Sequence, residues 1–362
     1  MDGLRKRSEK LYSVVHTRVY EYFLRHPFLD AVCTLLKNAT DMEFCKTVAN
    51  RNTFSLVCSS YGRLNKNKNI YFIQHGEKTT GFFAEIRMLL KYFAYADRFG
   101  FEPVVLWDSS FPYAEEKAIQ GTHNPFEYYF VQPSGISVEE MYQSYNVFHA
   151  KEIHVSQSFL NREITDGENG YWMSEKYMER LSEYAQKYIR LNSYTEKYVN
   201  DNIEQLIKGK ATIGVHIRGT DFNNHYNNHP ISVAVEKYLN AVDEMLQNNK
   251  YEQIFLATDD LRILRRFMGR YGSKLLYYED VTRADVNQSV AFSASERENH
   301  QYLLGLEVLR DMYTLTACEA LVAGISQVSL MARVFKKSTG CDYQQKIILD
   351  EGYYKNNNVF VI

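Results

Sequence analysis

Residues 211–221 constrain the fold of this chain more than any other stretch. Apolar and small or polar residues alternate through Ile-Gly-Val-His-Ile, and the run then ends abruptly in Arg-Gly-Thr-Asp. Alternation with a period of two is typical of a β-strand, so His216 and Arg218 project from one face near its C-terminal end. Ligands of open α/β sheets gather at such strand ends. The stretch therefore predicts an α/β fold with a ligand site at this edge.

Arg218 is the residue of this stretch that is best suited to phosphate. A guanidinium stays charged at any accessible pH, and its planar fork of donors matches phosphate oxygens. Gly219 lets a ligand approach the backbone closely, whereas Thr220 and Asp221 fit either a ligand contact or the cap of a following turn. A structural salt bridge is the alternative for Arg218. We favour a phosphate-bearing ligand.

Length and composition exclude several classes of protein. A chain of 362 residues is expected to form two domains. The net charge is −2 and the basic residues are dispersed among carboxylates, so the chain lacks the electrostatic footprint of a nucleic-acid-binding protein. Its five cysteines are odd in number and have no CxxC spacing, which argues against a disulfide framework and a zinc site. A reducing compartment fits this cysteine usage.

The sequence predicts a cytoplasmic protein. No run approaches the ~20 apolar residues that span a bilayer, and the charged N-terminal residues 5–10 are followed by no apolar core. Residues 14–36 are rich in aromatic and aliphatic side chains and are interrupted at Pro27. Two interpretations of them stay open: packing onto the body of the protein, the commoner use of such segments, or peripheral contact with the inner face of the membrane.

Strands and helices are expected to alternate in both halves of the chain. In the first half, a strand at 70–73, a glycine-bearing loop at 74–81, a helix at 82–99 and a strand at 103–107 form a βαβ unit. The elements expected in the second half are helices over 174–206 and around 303–315, strands at 213–217, 254–257, 274–278 and 320–323, and a helix from Ser326 through Val334. A helix that begins directly behind a strand, as at Ser326, offers free N–H groups to an anion.

Three nucleotide-binding signatures are absent from the sequence. Gly214 and Gly219 have the spacing of a P-loop, but Thr220 stands where the phosphate-binding Lys belongs. No two glycines are two positions apart, which excludes the GxGxxG fingerprint. No two aspartates are separated by one residue, which excludes the DxD pair that holds a diphosphate through a divalent cation. The chain is expected to neutralise phosphate with Arg and helix ends, without a metal.

Three blocks of the second half resemble the fucosyltransferases with an HxRxTD-type first motif, chiefly the α1,6-fucosyltransferase branch and more distantly the protein O-fucosyltransferases. Residues 214–221, followed by His-Pro-Ile at 229–231, resemble the first motif of that family. Residues 255–260 are similar to the second motif, and Asp311 with 324–328 is similar to the third. The order and spacing of the blocks also agree with the family.

The resemblance implies an α/β fold of the GT-B type, in which two Rossmann-like domains face a cleft, with an N-terminal helical segment in addition. The domain boundaries expected on this basis are 1–60 for the N-terminal helical segment, 61–208 for an acceptor-side Rossmann-like domain, 209–340 for the nucleotide-sugar-binding domain, and 341–362 for a C-terminal tail that packs back.

The implied activity is an inverting, metal-independent transfer of fucose from GDP-fucose to the hydroxyl of an oligosaccharide or glycan, with no cofactor. Polysaccharide biosynthesis at a bacterial surface is the expected setting. Two alternatives stay open: a glycosyltransferase that uses another nucleotide sugar, and a non-catalytic protein that binds a sugar nucleotide or a glycan. A fixed guanidinium at Arg218 would stabilise the leaving diphosphate more in the transition state than in the ground state.

The resemblance assigns a donor site residue by residue, with Arg218 on the β-phosphate. The donor-binding residues that it implies are His216, Arg218, Gly219, Thr258, Asp259, Asp260, Asp311, Ser326 and Gln327. Several of them also fit structural roles, such as helix caps at Asp260 and Ser326.

The general base is less well defined by the resemblance. The α1,6 branch carries an acidic residue before His-Pro, but residues 222–228 of this chain are one residue shorter and contain no carboxylate. Asp221, His225 and Glu77 are the candidates for the base.

Overall fold

The computed structural model describes residues 26–38, 56–75, 81–151, 174–247, 250–287, 289–290 and 295–356, together with residues 15, 17, 18, 22 and 40. Within that part of the chain, no helix combines the length and the apolar character needed to cross a membrane.

Nine α-helices are found in the described part of the chain. They are α1 (Pro27–Lys37), α2 (Phe82–Phe99), α3 (Val138–Met141), α4 (Glu175–Tyr188), α5 (Ser193–Ile207), α6 (Val235–Leu246), α7 (Leu261–Tyr271), α8 (His300–Ala317) and α9 (Gln327–Ser338). Short 3-10 helices cover Thr220–Asn224 and Gly272–Lys274. In α1, Phe28 and Leu36 are 77% and 72% exposed.

Nine strands form two sheets in the same residues. The strands are β1 (Val57–Ser59), β2 (Ile70–His75), β3 (Glu102–Trp107), β4 (Val147–His149), β5 (Thr212–Ile217), β6 (Gln253–Thr258), β7 (Leu275–Leu276), β8 (Ala320–Gly324) and β9 (Gln345–Leu349). Their presence beside helices in both halves confirms the predicted α/β class.

The chain divides into two compact units. The first comprises residues 1–73, 91–104 and 136–169, and the second comprises 74–90, 105–135 and 170–362. Segments from the first half of the sequence therefore belong to the second unit. The domain boundaries expected from the sequence stay a prediction.

The four-stranded sheet has the order β1-β4-β2-β3, with β4 antiparallel to β1 and parallel to β2. Aromatic side chains fill the layer next to it. Tyr71 of β2 is fully buried, and its ring lies 5.4 Å from that of Tyr95 and 5.5 Å from that of Phe101. Part of the large number of tyrosines in this chain is therefore ordinary core packing.

The five-stranded sheet has the order β7-β6-β5-β8-β9, and all of its strands are parallel. Every residue of β5 and β6 is buried, as expected for parallel strands with helices on both faces. After β5, the chain forms β6 and β7 on one side of that strand. It then crosses to the other side of β5, where β8 and β9 lie. The topological switch point is thus between β5 and β8, where ligands of such sheets bind beyond the carboxyl ends.

Most of the expected elements are present, with two differences. The helical region 174–206 is interrupted after Tyr188, and Asn192 then caps α5 by accepting a hydrogen bond from the N–H of Thr195 at 2.9 Å. The strand expected at 274–278 is reduced to the two residues of β7: Lys274 belongs to a 3-10 helix, and Tyr277 and Tyr278 lie outside the strand. Helix α2 has the expected bounds.

Candidate functional site

A pocket of about 370 Å³ opens at the carboxyl edge of the five-stranded sheet, within the second unit. The ends of β5 and β6 contribute to its wall, together with the start of α9, the first residues of α2 and one face of α8. Seven residues that the sequence assigned to the donor site line it: His216, Arg218, Thr258, Asp259, Asp311, Ser326 and Gln327. Gly219 and Asp260 are next to lining residues but are not part of the wall.

Arg218 is fixed at the pocket by two side chains. Its Nη1 donates a hydrogen bond to the Asp259 carboxylate, and its Nη2 donates one to Ser289 Oγ at 3.2 Å. The guanidinium carbon also lies 5.9 Å from the centre of the Phe222 ring. Because the Arg218 side chain remains 27% exposed, its fork is held in place and still accessible to an anion.

Asp259 also organises the backbone that follows Arg218. Its carboxylate accepts hydrogen bonds from the Gly219 N–H at 2.9 Å and from the Thr220 hydroxyl at 2.7 Å. A Cβ atom at Gly219 would lie 2.4 Å from Asp260 Cβ, so the close approach of the two loops requires glycine. The φ of Gly219 is −102°, a value that other residues adopt, so glycine is required here because of the limited space and not because of the backbone conformation.

Asp260 has a structural role in this arrangement. It is 2% exposed, and its carboxylate caps α7 by accepting a hydrogen bond from the Arg262 N–H at 2.8 Å. The Arg262 guanidinium donates to the same carboxylate, and these contacts lower the pKa of Asp260 against the opposing effect of burial. The two consecutive aspartates therefore have different roles: Asp259 contacts Arg218, and Asp260 caps α7.

His216 and Ser326 connect β5 to the start of α9. Nδ1 of His216 lies 3.2 Å from Ser326 Oγ, and burial lowers the pKa of the imidazole to about 4, so it is neutral near pH 7. Ser326 and Ser329 cap α9 reciprocally, each side chain accepting from the backbone N–H of the other. The N–H groups of Gln327 and Val328 have no carbonyl partner within the helix. Both residues line the pocket, which gives it a helix N-terminus suited to an anion.

Asp311 supplies a buried acceptor from α8. It is 7% exposed, and its Oδ1 has no hydrogen-bond partner among the described residues. Burial raises the pKa of its carboxyl to about 7, although Arg283 and Arg310 favour the charged form. An unsatisfied carboxylate in a pocket wall is suited to a ligand that carries N–H or O–H donors.

Comparison with known families identifies the superfamily of a segment that makes up about half of the chain. Residues 177–354 match the family model described as Alpha-(1,6)-fucosyltransferase N- and catalytic domains. The matched segment belongs to the fucosyltransferase superfamily. Fucosyltransferases are glycosyltransferases, so the enzyme class expected from the sequence is confirmed.

Solved fucosyltransferase structures are similar to the chain at low identity. NodZ alpha-1,6-fucosyltransferase soaked with GDP-fucose is 17% identical with a TM-score of 0.44, over 74% of this chain and 92% of NodZ. For fucosyltransferase NodZ from Bradyrhizobium the values are 16%, 0.40, 74% and 92%. POFUT1 in complex with GDP-fucose is 11% identical with a TM-score of 0.46, over 78% of this chain and 98% of POFUT1. No curated protein sequence matches the chain significantly.

Of the three candidates for the base, only His225 has its side chain among the described residues. His225 is exposed, stacks on Tyr354 with ring centres 4.6 Å apart, and is not part of the wall. Asp221 belongs to the 3-10 helix Thr220–Asn224, but its side chain lies outside the described residues, as does the whole of Glu77. The role of each stays a prediction. The described residues contain no group of three or more His, Cys, Asp or Glu that could hold a metal ion.

Several residues of the wall are not among those expected from the sequence. Glu307 precedes Asp311 by one turn of α8, a spacing that places both on one helix face and was the available signal. It accepts hydrogen bonds from the Thr282 N–H at 2.9 Å and from Arg297. His229, noted only as part of the His-Pro pair, also lines the pocket. No local pattern marks Thr282 and Ser289, which lie in loops.

Proposed function

We propose that this protein transfers fucose from GDP-fucose to a glycan hydroxyl, with inversion at the anomeric carbon and without a metal. The observation that carries the proposal is the meeting of three features in one pocket at the switch point of the sheet: the fixed fork of Arg218, the N-terminus of α9 and the unsatisfied carboxyl of Asp311.

The diphosphate fits between Arg218 and the N-terminus of α9. The guanidinium and the N–H groups of Gln327 and Val328 supply positive charge where a leaving GDP gains negative charge. Asp259 holds the guanidinium before the donor binds, so little reorganisation is needed when the sugar–phosphate bond breaks. These groups take the place that a divalent cation has in metal-dependent transferases.

The carboxyl of Asp311 favours guanine among the common nucleobases. Guanine presents an N1–H and an adjacent exocyclic amino group, and one carboxylate accepts both hydrogen bonds in a bidentate pair. Uracil presents a single N–H between two carbonyl oxygens, which a buried carboxylate would repel. Burial of Asp311 makes this discrimination stronger, since an unpaired polar group in the pocket is costly.

Inversion follows from a single displacement. The acceptor oxygen attacks the anomeric carbon on the face opposite the diphosphate, the new C–O bond forms, and the electron pair of the breaking bond goes to the β-phosphate oxygen. The sugar is oxocarbenium-like in this transition state, and Arg218 stabilises the opposite charge on the leaving group. A bacterial surface polysaccharide as acceptor and a cytoplasmic location stay predictions.

The experiment is incubation of the purified protein with GDP-fucose in a metal-free buffer. We expect slow release of GDP with water as the acceptor, and the first fucose anomer seen by proton NMR should have the configuration opposite to that of the donor. GDP should bind more tightly than UDP in calorimetry. Tight binding of GDP-fucose without turnover would instead indicate a non-catalytic binder, and preference for UDP would contradict the assignment of the donor.

A further inference from the structure

His229 places an imidazole in the same pocket as Arg218. The ring of Phe222 is a neighbour of both groups. Its centre lies 5.9 Å from the centre of the His229 ring and 5.9 Å from the Arg218 guanidinium carbon. The Phe222 ring therefore lies next to both the imidazole and the guanidinium that is proposed to hold the leaving group.

The backbone around His229 is fixed by the C-terminal part of the chain. The His229 carbonyl accepts a hydrogen bond from the Tyr354 N–H at 3.0 Å, and the Tyr354 carbonyl accepts one from the Asn228 N–H at 2.9 Å. On the other side, the Ile231 N–H donates to the Gly352 carbonyl at 2.9 Å. The ring of Tyr226 meets the imidazole edge-on at 5.5 Å. Such fixation is what a group in proton transfer requires.

Four other acidic or imidazole side chains of the described wall have the following contacts and roles. Asp259 and Glu307 form ion pairs with arginines. His216 is buried, and burial holds its pKa at about 4 while its Nδ1 contacts the cap of α9. Asp311 is the proposed partner of the nucleobase. His229 brings a second imidazole to the wall, a type of side chain that commonly acts as a general base.

We propose that His229 is the general base of the transfer, which rests on the function proposed above. As the acceptor oxygen forms its bond to the anomeric carbon, the proton of the hydroxyl moves to the His229 imidazole, and the bond to the β-phosphate oxygen breaks with its electron pair leaving on GDP. An imidazole thus takes the place of the carboxylate that residues 222–228 lack.

The test compares nucleophiles that do and do not carry a proton. With GDP-fucose as donor and water as acceptor, His229→Gln and His229→Ala should lower kcat by about 10²- to 10⁴-fold, the usual contribution of general-base catalysis. KM for GDP-fucose should stay within roughly threefold of the wild-type value, since the donor contacts are untouched. Azide is an anion with no proton to lose. It should restore GDP release by His229→Ala and yield fucosyl azide.

Three variants serve as comparisons. Arg218→Lys should not be rescued by azide, because its defect lies on the leaving group. His123→Gln changes an exposed imidazole of the same unit outside the pocket and should behave as wild type. His225→Gln tests the neighbouring candidate of the same loop and should keep most of the turnover.

Three outcomes would overturn the assignment of His229: unchanged kcat in His229→Gln, failure of azide to restore His229→Ala while GDP binding is intact, or azide rescue of a His225→Ala variant in its place. A wild-type protein that releases no GDP from GDP-fucose would overturn the proposed function itself, which is a separate result.

Discussion

The guanidinium of Arg218 and the carboxylate of Asp259 are paired across the carboxyl ends of two neighbouring strands. The register of β5 against β6 places Ile217 opposite Thr258, so the next residue on each strand is one partner of the pair. Strand pairing therefore fixes the direction of the guanidinium before any ligand enters. A charge that is fixed in this way stabilises a transition state without reorganisation.

We expect Arg218→Lys to lower kcat with GDP-fucose by about 10²- to 10³-fold, the usual effect of removing one such donor. A lysine keeps the positive charge but loses the planar fork that reaches both Asp259 and a phosphate. Steady-state kinetics checks this. Arg266→Lys is the matched control, since Arg266 pairs with Glu236 on the exposed surface. Equal activity of the two variants would contradict the phosphate contact.

Asp259→Asn and Asp260→Asn should have different effects although the residues are neighbours. Asp259→Asn removes the charge that orients Arg218 and should mainly lower kcat. Asp260→Asn keeps an oxygen that caps α7 but loses the charge that pairs with Arg262, so it should lower the free energy of unfolding by about 0.2–1 kcal/mol. Urea denaturation and kinetics on both variants separate these effects. A stability loss confined to Asp259→Asn would show that the roles are reversed.

Gly219→Ala should impair both folding and turnover for reasons of space. The new Cβ would lie 2.4 Å from Asp260 Cβ, so the loop that carries Arg218 must move. Gly269→Ala is the control, because a Cβ there meets nothing within 4 Å and the site is within α7. That variant should gain up to about 1 kcal/mol from helix propensity. Thermal melting should show opposite shifts, and a neutral Gly219→Ala would rule out the close approach.

Local sequence patterns were sufficient to predict those site residues whose position depends on a single strand or helix. The alternation before Arg218 and the serine before α9 are such signals, and both elements are where they were expected. The order of the five-stranded sheet is not a local property. That order brings the ends of β5, β6 and β8 together, and no spacing in the sequence reports it.

The sequence alone also did not show which histidine of the loop after Arg218 lines the pocket. His225 was a candidate for the base and His229 was not, yet only His229 lines the pocket. His225 and Asn228 adopt left-handed φ values of 56° and 61°, which turn the chain. The loop is then held by residues more than a hundred positions away, such as Tyr354. The direction of each imidazole is therefore set by tertiary pairing.

Turnover should persist in excess EDTA. Arg218 and the N-terminus of α9 supply the positive charge for the diphosphate, so chelation of divalent cations should change the initial rate of GDP release by less than about twofold. The measurement is the rate with and without EDTA, each also with added Mg²⁺ or Mn²⁺. An enzyme that stops in EDTA and recovers with Mn²⁺ would contradict this account of the leaving group.

Asp311 and His216 should give the stability of the protein opposite dependences on pH. Burial raises the pKa of Asp311 from 3.8 to about 7, so between these values the folded protein holds more protons than the unfolded chain, and stability falls as pH rises. Burial lowers the pKa of His216 from 6.5 to about 4, so the unfolded chain holds more protons in that window, and stability rises with pH.

The two effects oppose each other between about pH 4 and pH 6.5, and single variants should separate them. Relative to wild type, the unfolding free energy of Asp311→Asn should increase with pH, by at most about 1.4 kcal/mol per pH unit. That of His216→Gln should decrease with pH by a similar amount. Urea denaturation at a series of pH values in this window measures both slopes. Slopes of the same sign would show that burial does not control the two groups as the structure indicates.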